Sequence, residues 1–407
     1  MSRHPLAIAI LGLIGLGLAC LPGCEKEEEQ KLEAADVAAE EAQVQPEDRR
    51  ESQQWLEEQA WTRAVRSGVP DDADEYEERF YKHLGAITLG VSHRLAGYEE
   101  GSRRTAEYVE HALRAAGVDE VYIQEFPVVW PVTTECELLI DGETAAKEGE
   151  FFPARPNVLQ ASVTPAEGLT GRTVYVADGE VTSYPTLVDG RIVVMDFEAA
   201  DDWQSAFALG AKAVIFVEPE NHRPAPRPWH HVNIPANFPR FYVTREAADR
   251  LKLRQSREVT IKSGVRWETL WGRNVVGVLR GRAPEYGGGK PQALLLSAVT
   301  DSYSEVPELS VGARQAANCA ALLSMAYDLQ QNRPKRDVVF CFFDGEAQSH
   351  AGARAFYGDI YRQKKGVSAP TLEERVGTYN AERGFYQALK EMCERILQRW
   401  EKIQEAR

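Results

Sequence analysis

Asp337-Val338-Val339-Phe340-Cys341-Phe342-Phe343-Asp344-Gly345-Glu346-Ala347-Gln348 runs from an apolar strand into an acidic turn. A helical pattern over residues 316–329 precedes it and another near residues 351–362 follows, so the stretch is one step of an α/β alternation. Cys341 lies inside the apolar run and reads as a buried small hydrophobe rather than a reactive thiol.

The neighbouring segments extend the alternation. Ala293-Leu294-Leu295-Leu296-Ser297-Ala298 is a continuous apolar strand, the pattern of a strand covered on both faces. It leads into the turn Val299-Thr300-Asp301-Ser302. Gly312-Ala313-Arg314-Gln315 then opens the helix, which places Leu322, Leu323, Met325, Ala326 and Leu329 mostly inside. Asn274-Val275-Val276-Gly277-Val278-Leu279 reads as a further strand. Nearer the N-terminus, His93-Arg94-Leu95-Ala96-Gly97 and Gly101-Ser102 precede a helix with Tyr108, Val109, Ala112, Leu113 and Ala116 on one face. Gly117 stops that helix, and Val121-Tyr122-Ile123-Gln124-Glu125-Phe126 reads as a strand.

Together these segments resemble the co-catalytic di-zinc aminopeptidases, the group that includes glutamate carboxypeptidases and the transferrin receptor. The resemblance implies a three-layer α/β sandwich on a mostly parallel mixed sheet. In that family the acidic turn reads Asp-Gly-Glu-Glu, the first Glu being the general base and the second a metal ligand. Here the base position is Glu346 and the ligand position is Ala347. The family's His-x-Asp turn corresponds to Val299 and Asp301, so the metal-binding His is Val299 while the Asp that would orient it remains. The family's bridging Asp corresponds to Gln315, with Arg314 beside it. Two doubly charged ions ~3.5 Å apart repel by on the order of 20 kcal/mol at an effective dielectric of ~20, so the pair needs an anionic cage. Val299, Gln315 and Ala347 supply no charge to one. The family's last ligands, an Asp and a His, lie downstream. No histidine follows His350, and Glu374 is a poor match for the Asp because no apolar strand precedes it. The metal expectation is therefore none. Asp301 and Glu346 are the surviving catalytic candidates, either as acid and base in a residual hydrolysis or as acceptors for backbone N–H groups at strand ends.

A different module interrupts the pattern. Asp189-Gly190-Arg191-Ile192-Val193-Val194-Met195, the run Ala206-Phe207-Ala208-Leu209-Gly210-Ala211-Lys212-Ala213 into Val214-Ile215-Phe216-Val217, and Phe241-Tyr242-Val243 follow in order. They resemble a protease-associated domain, a small β-rich insert. The expected organisation is a signal peptide at 1–23, an acidic tether at 24–73, a peptidase-like domain at 74–159 and 261–407, and the insert at 160–260.

Arg3 and His4 precede an apolar, Gly-rich run from Leu6 to Leu21, shorter than the ~20 residues of a span and suited to a secretory signal. Leu21-Pro22-Gly23-Cys24 resembles the bacterial lipobox, which implies lipidation of Cys24. Lys26 stands where an inner-membrane retention Asp is often found, so the resemblance implies the periplasmic face of the outer membrane. Residues 25–59, rich in Glu, Gln and Ala, read as a partly helical solvated tether. Near the other end, Phe385, Leu389, Met392, Ile396, Trp400 and Ile403 form the stripe of an amphipathic helix. It packs on its own core or docks a partner chain.

The 407 residues are 43% hydrophobic and 27% charged, with a formal net charge of -15. That charge argues against nucleic acid as a partner. Cys136, Cys319, Cys341 and Cys393 follow no metal spacing, and their pairing is left open. His222, His230 and His231 sit in a Pro-rich loop with no carboxylate at fixed spacing. Ser302, Ser304, Asp344 and His350 lack a Gly-x-Ser-x-Gly elbow. Gly287-Gly288-Gly289-Lys290 lacks the Walker spacing. The reading is a degenerate aminopeptidase-like lipoprotein of the cell envelope, non-catalytic and without a cofactor, that binds peptide or protein. The alternative is an active zinc-dependent aminopeptidase with an atypical site.

Overall fold

In the computed structural model, two strands of more than twenty residues, β1 (Glu120–Ile140) and β8 (Glu258–Leu279), pair antiparallel along most of their length. Alternation builds this ribbon. Phe126, Val128 and Trp130 turn inward, while Pro127 and Val129 face solvent. The described residues are 42–59, 74–157, 159–185, 188–220, 237–283 and 292–364. The chain forms two compact units, Met1–Tyr357 and Gly358–Arg407.

At one end the ribbon continues into a sheet with β10 (Asp337–Phe343) antiparallel to β8, and β9 (Ala293–Val299) parallel to β10. Helices α2 (Glu75–Thr88), α3 (Arg104–Ala116) and α6 (Ala313–Gln331) cover one face. Their Ile87, Val109, Leu113 and Leu323 share a core with Val275, Leu279, Phe340 and Phe342. Each such phenylalanine contributes about 1.5–3 kcal/mol by leaving water. On the other face Phe343 meets Phe356 and Tyr357 of α7 (Ala351–Lys364). The mixed α/β sheet between helical layers is as the sequence led us to expect.

At the other end, residues 258–261 of β8 pair with β4 (Leu169–Tyr175), which begins the order β4, β5 (Ile192–Asp196), β6 (Ala213–Val217), β7 (Arg240–Val243). These four are parallel to one another. The short β3 (Phe151–Pro153) closes the edge antiparallel to β7. The unbroken apolar runs of β5 and β6 follow from burial on both faces. Ile192, Val194, Ile215 and Val217 pack toward α5 (Arg245–Arg250). Val193, Met195, Val214 and Phe216 pack toward α4 (Trp203–Ala208).

Three features depart from the sequence reading. The expected tether at 24–73 contains a docked helix, α1 (Pro46–Glu58). Trp55 stacks on His111 of α3 at 4.0 Å, Ser52 bonds the same imidazole at 3.2 Å, and Val44 and Leu56 join the first core. Trp55 and Leu56 lie on the helix, and Val44 just before it joins the same contact. The second sheet also begins before residue 160, since β3 pairs with β7. Finally, β9 is not covered on both faces. Among the described residues it pairs only with β10, and Leu294 and Leu295 are 52% and 37% exposed. Cys24, the histidines at 222, 230 and 231, the Gly287 loop, Glu374, Cys393 and the C-terminal stripe lie outside the described residues.

Candidate functional site

The carboxyl ends of β9 and β10 and the start of α6 meet at a cluster of buried polar groups. Asp301 follows β9 and is 1% exposed. Its Oδ1 accepts from the backbone N–H of Glu346 at 3.0 Å. Asp344 ends β10 and is equally buried. One of its oxygens accepts from Ser102 Oγ and from the Arg273 N–H, both at 3.1 Å, and the other from the Gly345 N–H at 2.9 Å. Loss of hydration raises the pKa of both carboxyls, and the charge of Asp344 raises Asp301 further. Backbone N–H groups oppose the rise at both sites.

Arg94 fixes the same corner from the other side. It is fully buried, and its guanidinium donates to the carbonyls of Val311 at 2.7 Å, Thr300 at 2.8 Å and Gly312 at 2.7 Å. One side chain thus joins the end of β9 to the start of α6. Its backbone adds two bonds, from its N–H to Ser310 O and from Ser302 N–H to its carbonyl. Gly312 is required there. Its φ is +67°, and a Cβ would stand 2.1 Å from that of Ser302. Asn274 completes the frame, accepting from the Asp344 N–H and donating to Gln124 and to the Gly352 carbonyl.

Asp301 and Glu346, predicted from the sequence, do come together, but through the Glu346 backbone. The Glu346 side chain is exposed. Val299 accepts through its carbonyl from Cys319 Sγ at 3.0 Å, one turn beyond Gln315 in α6, and Ala347 is half-buried beside Glu346. The residues present do not fit a zinc pair. The two buried carboxyls are spent on backbone N–H groups and on Ser102, and the three ligand positions offer two aliphatic side chains and a neutral amide. Among the described residues, no group of three or more His, Cys, Asp or Glu side chains could hold a metal ion. Ser302 and Ser304 donate to the carbonyls of Ser310 and Val306, so they form no relay with His350, which is exposed. Cys136, Cys319 and Cys341 are unbridged.

Arg94, Ser102 and Asn274 carry no functional role in the sequence pattern. The signal for Arg94 was an arginine two residues before Ala96-Gly97 in an otherwise apolar strap. Asn274 begins an apolar run, and nothing in the run marks it as a buried clamp.

Residues 274–405 match the model of Peptidase family M28. No curated protein matches the chain. Among solved structures, a zinc aminopeptidase from Bacillus subtilis is 20% identical, with 69% of this chain and 64% of that one covered and a TM-score of 0.50. An aminopeptidase from Aneurinibacillus sp. strain AM-1 is 21% identical, with 69% and 65% covered and a TM-score of 0.42. A peptidase M28 precursor from Shewanella amazonensis is 18% identical, with 76% and 71% covered and a TM-score of 0.45. The chain thus spans just under two thirds of the length of the two aminopeptidases. The segment carrying the Asp344 turn matches Peptidase family M28, and the fold around it is that of the zinc aminopeptidases.

Proposed function

We propose that this chain is a non-catalytic binding body on the aminopeptidase frame, held at the bacterial cell envelope by lipid on Cys24 and recognising peptide or protein. The supporting observation is the inward commitment of Asp301 and Asp344. Both buried carboxylates of the site hold backbone turns. Replacement of the three ligand positions by Val299, Gln315 and Ala347 points the same way. The second sheet is read as a protease-associated module that extends the cleft. The reading includes the periplasmic face of the outer membrane as location, with no nucleic-acid partner.

The test is metal analysis of the purified protein, run beside an aminopeptidase assay on unblocked peptides. The expected result is sub-stoichiometric zinc and no chelator-sensitive release of N-terminal residues. Two tightly held zinc ions with such release would overturn it. Radiolabelled palmitate incorporation, lost on Cys24→Ser, tests the anchor. The second reading, an active metallo-exopeptidase with an atypical site, is favoured by the exposed Glu346 side chain within the family-matched segment.

A further inference from the structure

We propose that the cleft where residues 95–98, the β1/β8 ribbon, the chain after β3 and the turn Pro307–Leu309 meet takes a lysine side chain of the peptide partner. This rests on the binding reading above and names the ligand's chemistry. The cavity is about 30 Å³, room for the end of one side chain and not for a whole residue. Its walls include Tyr98, Trp130, Pro131, Pro153 and Pro307, with the carboxylate residue Glu308 among them.

The walls are held in place. Trp130 is 5% exposed and stands edge-on to Tyr303, with centroids 5.1 Å apart. Arg155 lies 4.5 Å over the Tyr303 ring and pairs with Glu305 at 3.5 Å, so the turn carrying Glu308 is tied to the chain after β3. The cleft is therefore formed before any ligand arrives, which spares the cost of ordering it.

The chemistry selects a cation with an aliphatic stem. Proline walls offer no N–H donors, and the lining contains no lysine or arginine. An anion would meet the carboxylate of Glu308 with no lysine or arginine in the lining to offset it. An ammonium would meet the carboxylate of Glu308, with the aromatic rings of Tyr98 and Trp130 among the walls. Burial first, and then that carboxylate, oppose ionisation of the Tyr98 phenol. No ion pair engages Glu308 among the described residues. The tip of a lysine is compact and suits a small cavity. The formal net charge of -15 favours a basic partner on approach.

Calorimetry on the purified chain would use three peptides: acetyl-Ala-Lys-Ala-amide, acetyl-Ala-norleucine-Ala-amide and unblocked Ala-norleucine-Ala-amide. The expected result is binding of the lysine peptide about tenfold tighter than either norleucine peptide. Glu308→Gln should remove that preference without changing Tm. Glu308→Lys should reverse it in favour of acetyl-Ala-Glu-Ala-amide, which shows that the variant still folds a working cleft. Equal affinity for the two acetylated peptides, or a lysine preference surviving Glu308→Gln, overturns the inference and leaves the binding reading standing. Tightest binding of the unblocked norleucine peptide assigns the ammonium to the N-terminus and also overturns it. Binding of none of the peptides removes both.

Discussion

Asp301 Oδ1 accepts from the backbone N–H of Glu346 at 3.0 Å, joining the turn after β9 to the turn after β10. On this frame the carboxylate does the work of a strap. Its removal leaves a buried donor unsatisfied, which costs about 1–3 kcal/mol. Asp301→Ala is therefore expected to lower stability by about 2 kcal/mol in urea titration. Asp301→Asn keeps an acceptor oxygen and should lose less than half of that. Equal losses would mean that charge, and not the bond, is what the turn requires.

Stability from three buried carboxyls should fall as pH climbs from the unfolded carboxylate range, about 4, toward about 8. Asp301, Asp344 and Glu305 are all raised by desolvation, Glu305 to about 7. For an acid whose folded pKa exceeds its unfolded value, the folded state holds the extra proton. Its contribution is complete below the unfolded pKa and disappears as pH climbs through the folded one. His83 acts with the opposite slope. Burial lowers it from 6.5 to about 3, beside its 2.7 Å bond to Tyr108 Oη. The unfolded chain takes that proton first, so His83's own contribution is lost to acid below 6.5. Tm is thus expected to decline by several degrees from about pH 6.5 to 8, and Asp301→Asn should flatten that limb. His83→Gln should flatten the acid limb alone.

Arg94 answers to geometry rather than charge. Three carbonyls from two segments surround one planar fork. An ammonium cannot point in all three directions from the same stem. Arg94→Lys is expected to cost about 3 kcal/mol despite conserving charge. Denaturant midpoints check this, and a loss below about 0.5 kcal/mol would remove Arg94 as the clamp.

Much of this frame could be read from periodicity. The unbroken apolar runs at 192–195, 213–217 and 338–343 became buried strands, because a strand covered on both faces has no polar alternation to show. The same rule misled at residues 293–299, where the run is equally apolar but, among the described residues, lies at an edge. Covering is a property of neighbours, and a strand's own sequence does not carry it. The docked helix α1 was hidden for a related reason. Trp55 and His111 stack across 56 positions of chain, and the acidic composition around Trp55 speaks only for its solvent face. At the candidate site the residue types were legible, whereas their direction was not. Asp301 and Asp344 turn onto N–H groups that every residue possesses.

The edge of β9 should govern self-association. Natural sheet edges are commonly guarded by charge, proline or brevity. Ala293–Val299 is seven residues long with no charge and no proline, and Leu294 and Leu295 remain exposed. Among the described residues its far side has no strand partner, so its N–H and C=O groups can template another strand. Leu294→Lys places a charge on that edge at a residue already 52% exposed. The change should leave Tm within about 1 °C, since exposed substitutions away from special features cost under about 0.5 kcal/mol. It should also lower concentration-dependent light scattering during refolding. Met325→Lys, on the exposed side of α6 at 38%, is the control and should not do so. Equal suppression by both variants would assign the effect to net charge instead of the strand edge.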